Sequence, residues 1–261
     1  MIHEASIDVR KKLFPMFDAI DSTIILSCLQ GYMGTAWVDD VDNPTVAQVT
    51  VGIFTYFAGN PHSPEAEELL HNLPEFNLVI VHTDEWKNRI EAVHTRTIEK
   101  FPRYRFEKNP IHLNKNYLQQ FLASLPAGYE LKRIDEKVIN DPSLHALSED
   151  FVSNFASSQD FLTRGIGFAI LHDGQVVCGA TSFSIYQDGI EIEIATHPDY
   201  LRKGLATITA AALILHCLDN NLYPSWDAAN EESLHLAQKL GYVLKETYDT
   251  YFIEYKKVGT S

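Results

Sequence analysis

The stretch from Ile190 to Leu218 constrains the fold more than any other part of the chain. Ile190, Ile192 and Ile194 alternate with Glu191, Glu193 and Ala195. Side chains alternate faces along a strand, so this pattern puts both carboxylates on one face and the isoleucines on the other. His197-Pro198-Asp199 ends the strand, Arg202-Lys203-Gly204 follows, and Gly204–Leu218 reads as a long apolar helix. A strand that turns tightly into a buried helix belongs in a layered α/β structure. The helix start also has chemical meaning. Its first N–H groups lack partners within the helix and attract an anion. Arg202 and Lys203 add positive charge, and Gly204 carries no side chain to obstruct a close phosphate. Ala206, Thr207, Ala210 and Ala211 keep one side of the helix small. Spacing alone leaves two readings open, an anion site or an ordinary helix packed on a sheet.

Around this unit the chain reads as mixed α/β. Gly165–His172 and Gln175–Tyr186 are strands joined by Asp173-Gly174, a hairpin signal, and Gln187-Asp188-Gly189 turns into the strand at 190. A brief strand at Tyr223–Ser225, a helix at Asn230–Leu240 and a last strand at Tyr248–Tyr255 follow. Upstream, the first 30 residues show helical spacing. Thr35–Val38 reads as a strand and Val46–Phe57 as one long strand. Helices are expected at Pro64–Leu73, Glu85–His94 and Leu113–Leu125, with strands at Asn77–Val81 and Phe101–Phe106. Leu125-Pro126-Ala127-Gly128 is the expected boundary. It divides the chain into residues 1–125, a mixed α/β domain, and residues 126–261. Both halves run from hairpin strands to helices, which suggests a degenerate duplication.

Charge narrows the function. The chain carries 21 basic and 35 acidic residues, a formal net charge of −14. This argues against broad nucleic-acid binding, which needs a positive surface to displace counterions, and suits a cationic substrate. Residues 1–125 hold 11 basic and 16 acidic residues, and residues 126–261 hold 10 and 19. Between Lys137 and Arg202 the only basic residue is Arg164, so the pair Arg202-Lys203 stands out. Three scattered cysteines, Cys28, Cys178 and Cys217, fit reduced thiols and a cytoplasmic location better than a disulfide framework. No run of about 18 apolar residues suggests a membrane span, and no signal segment is apparent at the start. His94, His112 and His145 lack metal-ligand spacing, so no metal is expected.

The run Thr196-His197-Pro198-Asp199-Tyr200-Leu201-Arg202-Lys203-Gly204-Leu205-Ala206-Thr207 resembles the acetyl-CoA pyrophosphate loop of GCN5-related N-acetyltransferases, or GNATs. Their Gln/Arg-x-x-Gly-x-Gly/Ala pattern falls on Leu201, Gly204 and Ala206. The segment from Tyr223 through Ser233, then Ala237 to Tyr242, is similar to the next part of that fold, especially in the branch containing the zwittermicin-resistance acetyltransferase. Resemblance to the general fold covers about residues 129–256. It implies a mainly antiparallel sheet flanked by helices, acetyl-CoA as cofactor, and transfer to a small amine. Backbone amides of Leu201, Arg202, Lys203, Gly204, Leu205 and Ala206, with Thr207 beside them, would take the pyrophosphate. Ile194, Ala195 and Thr196 would pair with the pantetheine arm where the strands splay, and Asn230 and Ser233 would approach it from the other side.

The resemblance also assigns chemistry. Glu191 and Glu193 lie where family carboxylates act as proton acceptors, Glu191 at the earlier position. Trp226 and Asp227 would line the acceptor side, the one as a wall and the other as an attraction for a cation. Asp227 has a second reading, as a cap for the helix after it. Two positions depart from the family. Leu201 replaces the Gln/Arg. Ala237 stands where many members carry the tyrosine that protonates the leaving thiolate, leaving His197, Tyr248 and Tyr251 as rival acids. The departure at Ala237 motivates the alternative of a CoA-binding regulatory or interaction protein with little turnover.

Overall fold

A computed structural model describes residues 1–94 and 98–254. Tyr255, the expected end of the last strand, lies outside the described residues. The chain divides into two compact units, Met1–Arg103 with the chain from Tyr248 onward, and Tyr104–Thr247.

The first unit begins with β1 (His3–Glu4), α1 (Ile7–Lys12), α2 (Phe14–Phe17) and α3 (Thr23–Leu29). Next come β2 (Thr35–Val38), β3 (Val46–Val51), β4 (Phe54–Gly59), α4 (Pro64–Leu70), β5 (Phe76–Ile80) and α5 (Asp84–Val93), and β6 (Ile98–Phe106) carries the chain onward. The expected single strand over Val46–Phe57 is a hairpin instead. Its strands pair from Val46↔Gly59 to Val51↔Phe54 around a two-residue turn at Gly52-Ile53. Gly52 takes φ 56°, a conformation that glycine adopts without penalty. A lone glycine among β-branched residues is a weak turn signal, so composition hid the break.

Successive strands from β1 to β4 pair antiparallel. β4 and β5 are parallel, linked by the crossover helix α4. The core of this unit gathers Val46, Phe57, Leu69, Leu70, Val79, Trp86, Ile90, Tyr251 and Ile253, all essentially buried. Asp39, Asp40 and Asp42 build the turn before β3: Asp40 Oδ1 accepts the N–H groups of Asp42 and Asn43 at 2.7 and 2.9 Å.

The second unit contains α6 (Lys115–Leu122), β7 (Tyr129–Arg133), α7 (Glu136–Ile139), α8 (Pro142–Leu147), α9 (Ser158–Arg164), β8 (Gly167–His172), β9 (Gln175–Tyr186) and β10 (Gly189–Thr196). Then follow α10 (Leu205–Asp219), β11 (Tyr223–Ser225), β12 (Asp227–Ala228), α11 (Glu231–Leu240) and β13 (Leu244–Glu254). Its sheet runs β11-β10-β9-β8-β7, antiparallel except for the β10–β11 pair. The fold is the expected mixed α/β class with mainly antiparallel sheets flanked by helices.

The two compact units part at Arg103/Tyr104, with a return at Thr247/Tyr248, a different division from the expected one at residues 125/126. Two contacts explain the shift. Leu122 and Leu125 pack on the second unit's cluster of Ile170, Val177, Cys178, Leu205 and Ile208. The end of β13 pairs with β5, Tyr251↔Val79 to Glu254↔Phe76. Pro126-Ala127-Gly128 is thus a turn inside the second unit, closed by the Tyr129 N–H on the Pro126 carbonyl at 3.3 Å.

α10 packs on β8, β9, β10 and β11, and most of its residues are buried. That explains its nearly uniform apolarity, since an enclosed helix has no water-facing stripe. The other face of the sheet is covered by the chain around Ser148–Phe155. There Phe151, fully buried, lies against Gly179. A Cβ at Gly179 would stand 2.7 Å from the Phe151 ring, so the glycine is what admits it.

Candidate active site

The site grows from the way β10 parts from β11. Register pairing holds at Gly189↔Tyr223, Ile190↔Pro224 and Glu191↔Ser225, then stops. Ile192 through Thr196 continue beside β9, down to Thr196↔Cys178. Burial declines along this stretch, from buried Ile192 to half-buried Ile194, Ala195 and Thr196. A strand edge released from its neighbour presents backbone donors and acceptors that an extended ligand can pair with. The same strand is steadied from behind. Thr196 Oγ1 lies 3.2 Å from Cys178 Sγ, and Thr209 Oγ1 of α10 donates to that sulfur at 3.3 Å. Burial holds the Cys178 thiol above its ordinary pKa, so it sits there as a neutral packing group.

The strand ends at the loop before α10. Pro198–Tyr200 forms a single tight turn, and Leu201, Arg202, Lys203 and Gly204 are exposed. Arg202 takes φ 61° and Gly204 φ 78°. Left-handed residues within a turn are conformations from which anion-binding nests are built. Gly204 is the N-cap of α10, no side chain caps this end, and no acidic residue lies in its first turn. A Cβ at Gly204 would meet nothing within 4 Å, so the approach to these N–H groups is clear. Leu201, at the departing Gln/Arg position, is 56% exposed and contributes only its backbone. Lys203 Nζ stands 4.5 Å from the centre of the Tyr200 ring. The first turn gains another cation that the sequence reading missed: Lys239 Nζ of α11 donates to Thr207 Oγ1 at 3.3 Å.

The two faces of β10 are as the alternation requires. Glu191 is opposite Ser184 and Glu193 opposite Thr181, while Ile190, Ile192 and Ile194 face the other way. Glu191 is only 6% exposed, and Glu193 is half-buried. Ser148 Oγ donates to Glu193 Oε1 at 3.1 Å. Tyr186 shares this face, opposite Gly189. Its ring turns back over that glycine, where a Cβ would lie 2.7 Å from the phenol oxygen. Burial first, and then the nearby Glu191 charge, raise the Tyr186 pKa far above the usual phenol range. A proton therefore stays on Tyr186 beside Glu191 at neutral pH. Neither Ser148 nor Tyr186 carried a motif; the bond to Glu193 reveals the first and the register across β9 and β10 the second.

The wall after β11 is more structural than the sequence suggested. Trp226 is buried, donates from Nε1 to Ser233 Oγ at 3.0 Å and meets Tyr242 edge-on at 5.5 Å. Its ring is thus held by packing and one hydrogen bond. Asn230, not Asp227, caps α11, accepting the Ser233 N–H at 2.9 Å. Asp227 lies in β12 opposite Arg105. Ala237 is fully buried and offers no proton. Tyr242 is a core residue, as expected, with its hydroxyl donating to the Pro224 carbonyl at 2.6 Å. Of the rival acids, Tyr251 belongs to the first unit and donates to Glu91 Oε1 at 2.9 Å, and exposed His197 accepts the Asp199 N–H at 3.3 Å. Among the described residues, no group of three histidine, cysteine or carboxylate side chains is placed to hold a metal ion.

Comparison with known proteins agrees with this geometry. A family model described as GNAT acetyltransferase matches residues 14–251. An uncharacterized N-acetyltransferase of Bacillus subtilis (strain 168), YdfB, is 31% identical over 173 residues, which are 65% of this chain. The match spans 63% of that relative's length. Among solved structures, a GCN5-related N-acetyltransferase-like protein from Streptococcus suis 89/1591 is 36% identical, with a TM-score of 0.86 over 94% of this chain and 98% of that one. A tandem GNAT protein from the clavulanic acid biosynthesis pathway shares the fold at 11% identity, with a TM-score of 0.55 over 97% of this chain and 98% of that one.

Proposed function

Since the chain belongs to the GNAT acetyltransferase family, we propose that it moves the acetyl group of acetyl-CoA onto the nitrogen of a small cationic amine by direct attack. The observation that carries this reading is a conjunction in one loop. The edge of β10 parts from β11 at the same end where an uncapped helix start follows Arg202 and Lys203. One element accepts an extended amide-containing arm and the other a pyrophosphate.

The residues fit the group. N–H groups from Leu201 to Ala206 hold the phosphates, with Arg202, Lys203, Thr207 and Lys239 around them. Ile194, Ala195 and Thr196 pair with the arm, and Asn230 and Ser233 flank it from α11. Bound acetyl-CoA supplies the thioester carbonyl that is attacked. An N–H near Ala195 or Thr196 polarises that carbonyl, holding charge that grows in the transition state. Glu191 takes the proton that the attacking nitrogen must lose, with Glu193 as the other candidate on the face. Asp227 draws the cationic acceptor, and Trp226 supports that side from beneath. Ala237 cannot return a proton to the thiolate, so that proton comes from water. The first unit is read as a degenerate GNAT-like unit, supported by its own parallel pair and crossover helix.

The test mixes the protein with acetyl-CoA and a panel of small amines and follows thiol release. One thiol per N-acetylated product is expected. CoA binding without release for every amine would instead favour a regulatory CoA-binding protein, the reading that Ala237 motivates. Glu191→Gln should lower kcat at least a hundredfold and remove the acidic limb of the pH–rate profile. An unchanged profile in both Glu191→Gln and Glu193→Gln would remove the two carboxylates from the chemistry.

A further inference from the structure

A lysine of α11 reaches across to the first turn of α10. Lys239 Nζ donates to Thr207 Oγ1 at 3.3 Å and stands 5.4 Å from the centre of the Phe121 ring of α6, a cation–π support for the ammonium. All three helices belong to the second unit. Thr207 is only 6% exposed. An ammonium can only donate, so Thr207 Oγ1 accepts in this pair, and the hydroxyl's own proton has no acceptor among the described residues. Among those residues Lys239 forms no ion pair either. A buried hydroxyl proton and an ammonium at one point both call for an acceptor, and an anion satisfies them together. The first turn of α10 contains no acidic residue that could supply one. Helical side chains lean toward the N-terminus, so Thr207 carries this pair toward the loop of Arg202, Lys203 and Gly204.

We infer that Lys239 and Thr207 hold the ribose 3′-phosphate of CoA and so make the protein prefer CoA to its 3′-dephospho form. The inference rests on the proposed acetyl-CoA reading and deepens it by dividing the anion site between two groups of the cofactor. The pyrophosphate is met by the N–H groups from Leu201 to Ala206 and by Arg202 and Lys203. Lys203 rests on the Tyr200 ring at 4.5 Å, whereas Lys239 comes from another helix and rests on another ring. The 3′-phosphate is a monoester one sugar away from the pyrophosphate, with about −1.5 to −2 charge at neutral pH. It accepts from the Thr207 hydroxyl and the Lys239 ammonium together, which gives both donors a partner. Each is a binding residue, and neither moves a proton in the reaction.

The experiment is calorimetric titration of the full chain by CoA and, separately, by 3′-dephospho-CoA. CoA should bind about tenfold more tightly, the size expected for charge-assisted hydrogen bonds that include an exposed ammonium. Lys239→Ala should bring the ratio of affinities close to one, and Thr207→Val should lower it severalfold. Lys239→Arg should keep most of it and guards against a loss caused by misfolding. Lys203→Ala should weaken both compounds and keep the ratio. Equal affinity of the unaltered protein for the two compounds overturns the inference. So does a Lys239→Ala protein that weakens both in equal proportion, since that places the lysine at the pyrophosphate. Binding of neither compound removes the acetyl-CoA reading and the inference with it. Thiol release from acetyl-CoA, measured in parallel, separates the two proposals. Release without a preference for the 3′-phosphate removes this inference and leaves the acetylation reading standing. A Lys239-dependent preference without release for any amine does the reverse.

Discussion

Two crossovers of the same form sit in this chain, and they treat their splayed strands in opposite ways. β4–α4–β5 and β10–α10–β11 each connect a parallel strand pair through a helix. In each, pairing ends before the first strand does: at Tyr56↔Ile80, leaving Phe57 to Gly59, and at Glu191↔Ser225. In the first unit Trp86 of α5 fills the gap. Its indole N–H donates to the Gly59 carbonyl at 3.1 Å, and its ring stacks on Phe57 at 5.3 Å. The helix start there is closed too. Ser63 Oγ accepts the Ala66 N–H at 3.1 Å, and Glu65 and Glu67 oppose any anion. In the second unit the tryptophan after the parallel strand, Trp226, bonds to Ser233 instead. The helix start is a glycine preceded by two cations. The backbone plan supplies a splay in both places, and a few side chains decide whether it is filled from within.

The sharpest way to break this comparison is Trp86→Ala. Removing a fully buried indole should cost about 3–5 kcal/mol, read by urea unfolding. A loss below 1 kcal/mol would mean that the first splay is not held by its tryptophan. Next, Gly204→Glu adds a side chain where φ is positive and a negative charge at the helix start. CoA affinity should fall about a hundredfold, with the thermal midpoint moved far less. Unchanged affinity would sink the placement of the phosphates. Ser63→Ala, the matching change in the first unit, should cost about 1 kcal/mol of stability and leave CoA affinity alone. An effect on CoA binding there would erase the contrast between the crossovers. The smallest effect belongs to Lys203→Ala, a severalfold weakening of CoA binding that shrinks as salt rises. A salt-independent change would point to the ring of Tyr200 rather than to charge.

The second crossover was legible in sequence because its signals are local. Alternation of isoleucine and glutamate, the Arg202-Lys203-Gly204 run and the apolar helix all lie within one continuous stretch. What escaped depends on pairing between distant residues. Tyr186, Ser184 and Thr181 acquire meaning only once β9 is aligned with β10, and a bulge between Glu191 and Ile192 shifts that alignment. Ser148 lies in a turn-rich segment with no periodicity, which Phe151 on Gly179 and Asn154, donating to the Phe183 carbonyl, hold against β9. Trp226 suits a pocket by type and position, but its burial against Tyr242 could not be read from sequence. The hairpin at Gly52 was lost because β-branched residues continue on both sides of it. The division at Arg103 was not legible, because Pro126 and Gly128 break a helix in the same way within a unit as between units.

The last strand carries a consequence for how the molecule is made. Leu244–Thr247 belongs to the second unit, and Tyr251–Glu254 then completes the hydrogen bonds of β5 in the first. During synthesis the ribosome therefore releases most of the first unit long before its final strand exists. The edge of β5 at Phe76–Val79 waits through more than half of translation, and a waiting edge is where a nascent chain pairs with the wrong neighbour. Thus, of the two units, the one whose strands are translated earlier is finished later.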